Sequence, residues 1–313
     1  MIRLAGRRAE RSGRPAAPPR RRGFPAAVRA LGLVLASIAV AAAAAAADVR
    51  VVGTDLLGLE FSKALYAFAG RAGVSVALAF DGSRPGLDEL KAGGAQAGLL
   101  VFAPGEEAGA AGFERVPLAY HRALVIVPAA LPLEQLTFAQ LDGIFGAGGL
   151  TRWGQLGLDG EWTNSIIAPQ VPAVGAGLAA EIFRHGALRD RAFKLNVGRF
   201  DSPDELALRL SGDSRVVAVV AAPPPAAFNA RIVAVAAQTG EPAFLPTLEN
   251  VHSGDYPLRL PLWLVFRREQ TAAVLPLLRF LLSDEAVPLF ERAQLAPLPS
   301  GARRQQVLAA EKR

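Results

Sequence analysis

The stretch VRVVGTDLLGLEFSKALYAFAGRAGVSVALAF, Val49 to Phe80, decides how the rest of the chain is read. Val49 to Val52 is a β-branched run. Leu56 to Arg71 then carries apolar residues at helical spacing, and Val74 to Phe80 returns to a strand-like pattern. Strand, helix and strand in succession make the βαβ unit of a sheet covered on both faces. The rhythm continues outward, with a helix expected over Leu87 to Ala92, a strand over Gly98 to Phe102, and a longer apolar strand, ALVIVPA, from Ala123.

Beyond this strand the composition changes at Leu131-Pro132-Leu133, which reads as a crossing to a second lobe. In the middle section Thr137 is followed by Gln140, and Ser202-Pro203 by Glu205. Both are capping-box patterns that satisfy the free amides of a helix start. The buried strand in RVVAVVAAPPPAAF is stopped by Pro223 to Pro225, which reads as the second crossing. A strand, LRLPLWLVF, starts at Leu258, and Thr271 to Gln294 has helical periodicity, with breaks expected at Pro276 and Pro288. Two crossings and a return imply a hinged clamp. Residues 48–127 with 223–313 form the first lobe, and 128–222 form the second.

Charge is distributed unevenly along the 313 residues. Of 34 basic and 28 acidic residues, nine arginines and one glutamate lie in the first 47, which leaves 25 against 27, a net charge of −2. The basic excess therefore belongs to the leader, and the remainder offers no polyanion-binding surface, so no nucleic-acid partner is expected. The leader itself has a basic start, an uncharged run from Ala30 to Ala47 and small residues before Asp48, the order of a secretory signal peptide. Arg21-Arg22 lacks the flanking residues of the twin-arginine pattern, which points to the general secretory route and an exported, periplasmic chain. An uncleaved membrane anchor is the alternative reading of that apolar run. The absence of cysteine excludes disulfides, thiolate catalysis and cysteine-held metals.

Three segments carry a family resemblance. LTFAQLDGIFGAGGLTRWGQLG, Leu136 to Gly157, resembles the segment of phosphate-type periplasmic solute-binding proteins that reads Leu-Thr, Ile-Phe-Gly and Trp-x-x-Leu-Gly. ENVHSGDYPLRLPLWLVF, Glu249 to Phe266, is similar to their Ser-Gly-x-Tyr-Pro-Leu-x-x-Pro-Leu strand, and Leu277 to Pro299 to their closing helix. The likeness spans about Val49 to Pro299. It implies an α/β fold of the type II periplasmic binding protein, with two hinged lobes, each with a central mixed sheet. It also implies capture of a small anion such as phosphate between the lobes for an ABC permease in the inner membrane.

The resemblance assigns ligand contacts one by one. Thr54, beside Asp55, matches the family's first hydroxyl and amide. Ser83 in DGSRPG matches its second, with Arg84 as a neighbouring charge. The third loop departs, reading Phe102-Ala103-Pro104 where relatives carry polar residues. The fourth, PQVPAVGAGLAAEIF, departs further: positions matching Arg-Asp-x-Gly-Ser-Gly-Thr read Pro172, Ala173, Val174, Gly175, Ala176, Gly177 and Leu178. The glycine frame is kept and its polar side chains are gone. Gly175, Ala176, Gly177 and Leu178 are expected to form the wall opposite Thr54, Asp55, Ser83 and Arg84.

Three readings follow. The first is an exported, monomeric solute-binding protein for phosphate or a related oxyanion. The second is an interaction or scaffold protein that keeps the fold without a small solute. The third is a binder of a less polar ligand, since Phe102, Val174 and Leu178 would make the cleft more apolar. No enzyme is expected, because no Gly-x-Ser-x-Gly elbow occurs. His121, His185 and His252 lack ligand-like spacing, so neither metal nor cofactor is expected. Trp153 and Trp162 read as packing residues, and Glu106-Glu107 as a solvated loop.

Overall fold

The structure, a computed structural model, describes residues 49–312. The leader, expected from the sequence to be a signal peptide, lies outside the described residues. The chain runs through β1 (Val49–Gly53), α1 (Gly58–Ala72), β2 (Val76–Ala79), α2 (Ser83–Ala92), β3 (Ala97–Val101) and β4 (Glu114–Arg122). It continues as β5 (Leu124–Pro128), β6 (Gln135–Thr137), α3 (Phe138–Phe145), β7 (Ala168–Pro172), α4 (Ala179–Leu188), β8 (Gly198–Phe200), α5 (Pro203–Gly212), β9 (Val216–Val220) and β10 (Ala230–Ala236). It closes with α6 (Leu248–Ser253), β11 (Arg259–Phe266), α7 (Thr271–Leu281), α8 (Val287–Arg292), β12 (Ala296–Pro297) and α9 (Ser300–Glu311).

These strands make two six-stranded mixed sheets, in the orders β12-β4-β11-β3-β1-β2 and β6-β10-β5-β9-β7-β8. The two share one internal plan. In the first, β1 lies parallel between β2 and β3, and β11 inserts antiparallel between β3 and β4. In the second, β7 lies parallel between β8 and β9, and β5 inserts antiparallel between β9 and β10. Each inserted strand is the first one made after the chain changes sheets. This is the α/β, type II periplasmic binding protein architecture.

Pairing moves both expected crossings. Leu124–Pro128 and Ala230–Ala236, assigned by the sequence reading to the first lobe, are strands of the second sheet. The first change of sheet occurs at Ala123, and Leu131 and Leu133 lie buried in the second core. The triple proline joins β9 to β10 within one sheet. Proline ends a strand because it offers no N–H to the ladder, but it carries no information about which sheet the next strand joins. Pro276 likewise does not break its segment: it lies inside α7, whose Val274, Leu277, Leu278 and Leu281 are buried. Pro288 sits in the first turn of α8, where no amide partner is lost.

The two connections between sheets run side by side. The Ala123 amide donates to the Leu258 carbonyl at 3.0 Å, and the buried Tyr256 hydroxyl donates to the Ala123 carbonyl at 2.6 Å. Burial raises the Tyr256 phenol above its ordinary range, so this donor stays protonated. In the second core Trp153 is fully buried and Phe145 packs edge-on against Phe183, with ring centroids 4.8 Å apart. The Thr137–Gln140 capping box is formed, while at Ser202 the hydroxyl accepts from Glu205 and the Glu205 carboxylate reaches Asp201.

Candidate functional site

Backbone contact in the first lobe fixes the first half of the cleft. A Cβ on Gly53 would lie 2.1 Å from the Leu99 carbonyl oxygen, and one on Gly86 would lie 3.1 Å from the Gly53 Cα. Only glycine lets α2 settle against β1 this closely, and the Gly82 amide then donates to the Gly53 carbonyl at 2.8 Å. Thr54 and Ser83 are thereby set next to each other at two helical starts. The buried Thr54 hydroxyl accepts from the Leu56 amide at 3.3 Å, and the Ser83 hydroxyl accepts from the Val101 amide at 3.0 Å. Each hydroxyl keeps its own proton free to donate.

Between the lobes lies a cavity of about 430 Å³. Thr54, Asp55, Ser83, Ala103 and Pro104 line it from the first lobe, Leu178, Glu181, Arg184, His185 and Asp190 from the second, and Arg259 from β11. Its charges are largely matched among themselves. Arg184 donates through Nε to Glu181 at 2.9 Å and through Nη1 to the Asp190 carbonyl at 2.7 Å, and His185 Nδ1 lies 2.9 Å from the Asp190 carboxylate. Arg259 Nη1 donates to the carbonyls of Val251 and His252 at 2.8 and 3.1 Å, and its guanidinium stacks 5.0 Å from the Tyr120 ring centre. Asp55, Glu181 and Asp190 offset Arg184 and Arg259, so the cavity is a hydrogen-bonding pocket without a surplus of positive charge.

A second compartment of about 370 Å³ adjoins it. Leu56 and Leu178 line both and form their shared wall. The second compartment is bordered by Gly58 at the start of α1, His121 and Arg122 at the end of β4, Gly175 to Ala179 at the start of α4, and Arg292 of α8. Gly175 and Gly177 have φ of 86° and 104°, so the glycine frame serves a left-handed turn that leads into α4. No side chain caps α4. Burial pushes the His121 imidazole down to about 4 and also lowers Arg122, the latter opposed by Tyr256 and Glu291.

The sequence-assigned residues thus divide. Thr54, Asp55, Ser83 and Leu178 meet at the larger cavity, whereas Gly175, Ala176 and Gly177 border the second compartment. Arg84 is turned away from both: it lies on an adjoining surface and pairs with Glu106 at 2.6 Å, which gives that expected solvated acid a partner. The apolar wall expected from Phe102 and Val174 does not form, since Phe102 is buried in the core and Val174 is 88% exposed, outside the cavity lining. Sequence reasoning missed Glu181, Arg184, His185, Asp190 and Arg259. A signal for three of them was available, because Glu181, Arg184 and His185 share one helical face directly after the glycine loop. It also missed His121-Arg122, a polar pair at the end of a buried strand.

Among the described residues no group of His, Cys, Asp and Glu could hold a metal ion, and no helix is long and apolar enough to cross a membrane. Two helical starts from one lobe and a third from the other thus border one interlobe cavity. Residues 39–191 match the family model described as the PBP superfamily domain. The fold is that of the phosphate-type periplasmic binding proteins. Similar solved structures include a protein described as a possible phosphate binding protein from Planctomyces limnophilus DSM 3776 (17% identity, TM-score 0.62, covering 85% of this chain and 99% of that one). PstS from Borrelia burgdorferi is similar at 15% identity and TM-score 0.66, covering 80% and 98%. An ABC-type phosphate transport receptor from Vibrio cholerae is similar at 18% and 0.56, covering 80% and 100%. At these identities the likeness is one of fold. No curated protein matches the sequence.

Proposed function

We propose that this chain is an exported, monomeric solute-binding protein that captures a small solute in its interlobe cleft and delivers it to an ABC permease, with phosphate or a related oxyanion as the first candidate. The observation that carries the reading is the convergence of Thr54 and Ser83 from one lobe with the uncapped start of α4 from the other on a single cleft. Helix starts present unpaired amides, which favour an anion without requiring particular side chains. The protein binds and releases, and the side-by-side connections at Ala123 and Leu258 are where closure would turn.

Asp55, Glu181 and Asp190 favour a second reading for the larger cavity, a polar solute that is not a simple anion. The test is thermal unfolding of the solute-free protein with and without millimolar phosphate at matched ionic strength. A native-state ligand at 100 times its Kd adds about 2.7 kcal/mol, which raises the midpoint by roughly 5–10 °C at this size. A shift with an uncharged polar solute and none with phosphate would select the second reading, and no shift with either class would reject solute capture.

A further inference from the structure

We propose that the interlobe cleft carries an apolar subsite, a space of about 390 Å³ between α5 and the triple proline, and that the captured solute is an extended molecule whose apolar arm fills it. This inference rests on solute capture in the cleft and names the class of solute: a polar head joined to a hydrocarbon arm.

The first observation is position. The neighbouring parallel strands β7, β8 and β9 end at Pro172, Phe200 and Val220, and all three residues line this space. The larger cavity takes the matching place in the first sheet, where Thr54 follows β1 and Val101 ends β3. Open α/β sheets hold their ligands outside such carboxyl ends. The spaces are also continuous. Leu56 and Leu178 border both the larger cavity and the second compartment, and Ala176, Ala221 and Gln294 border both the second compartment and the apolar space. Alanine at two of these three shared positions keeps bulky side chains out of the passage, and Gln294 brings the first lobe to it.

The second observation is chemistry. Among the described residues that line the space there is no Lys, Arg or His, and Asp201 is the one that carries a charge, so an anionic group is not welcome there. The rest of the wall is largely hydrocarbon. Phe200 and Leu206 belong to the small core between α5 and the second sheet, and Val220 and Phe228 pack against it half-buried, so this core stays open at its cleft end. The walls are also stiff. Pro223 to Pro225 fix their own φ, and the Phe228 amide donates to the Pro225 carbonyl at 2.9 Å. A preformed apolar space that continues from a polar cavity selects a hydrocarbon group attached to the molecule held there, because its burial removes apolar surface of both partners from water.

The subsite is tested by calorimetric titration of two ligand pairs into the solute-free protein: inorganic phosphate against octyl phosphate, and glucose against octyl glucoside, each below its micelle concentration. The expected result is a gain in affinity of roughly tenfold or more from the octyl chain on at least one head. This gain is lost in Ala222→Phe, which fills the space, and in Ala222→Asp, which charges it. Ala222 is half-buried, lies outside the strands and lines neither the larger cavity nor the second compartment, so both variants are expected to fold. A gain that persists in both variants overturns the subsite, as does the absence of any gain from the chain. A short head that binds with no gain from its chain leaves solute capture standing without this subsite. An Ala222-sensitive gain with octyl glucoside, and no binding of either phosphate, would reject the oxyanion and leave the subsite standing.

Discussion

The two lobes share one strand order, yet they present the cleft in different ways. The first offers Thr54 and Ser83, two hydroxyls tied to backbone amides and seated by close glycine packing at Gly53 and Gly86. The second offers a turn where a Cβ added at Gly175 or Gly177 would meet nothing within 4 Å, followed by an uncapped helix. Identical sheet topology therefore does not carry identical recognition chemistry. What differs is whether hydroxyl side chains or bare amides border the cleft, and how the charges there are balanced. In the larger cavity Arg184 is balanced by Glu181 and Asp190. At the second compartment the buried Arg122 forms no ion pair among the described residues.

Substitution of the glycines would break this comparison most sharply. Gly53→Ala places a Cβ against the Leu99 carbonyl at a φ of 150°, and should lower stability by about 3–5 kcal/mol in urea unfolding. Gly177→Ala, in open space, should lose only about 1–2 kcal/mol from its positive φ. Equal losses would show that the two loops are held alike.

Acidification is next in size. His121 has a folded-state value of about 4 against an ordinary 6.5, so the unfolded chain binds more protons between these limits. Stability should therefore be intact above pH 6.5 and fall by about 3 kcal/mol as pH drops to 4. His121→Gln should flatten this part of the pH–stability curve. A smaller effect is expected at the connection between lobes. Tyr256→Phe removes the donor to the Ala123 carbonyl and should lower stability by about 1–2 kcal/mol in the same assay. The smallest belongs to Arg84, whose exposed pair with Glu106 should leave both the melting midpoint and phosphate affinity unchanged in Arg84→Ala.

Much of the fold could be read from residue patterns. The β1, α1 and β2 unit, the Thr137 cap and the helix after the glycine turn follow from periodicity and local hydrogen bonding, which act over a few residues. The lobe boundaries could not, because β5 and β10 read as apolar strands whichever sheet takes them. Their sheet is set by pairing with β9 and β6, far away in sequence. The site divides in the same manner. Thr54 and Ser83 were readable through their loops, whereas Arg84 looked like a ligand charge until Glu106 came within reach of it. Arg122 carried no expectation at all, since its burial and lack of an ion-pair partner emerge only when distant elements surround it.

By itself the sequence determined a βαβ-built, two-sheet protein with helix starts at Thr54, Ser83 and Leu178, because turns, caps and periodicity are local properties of a chain. Only the tertiary structure decided where the chain changes sheets, which charges are matched and which are left open. Those depend on burial and on partners distant in sequence, and a charge has no fixed role until its neighbours and its access to water are known.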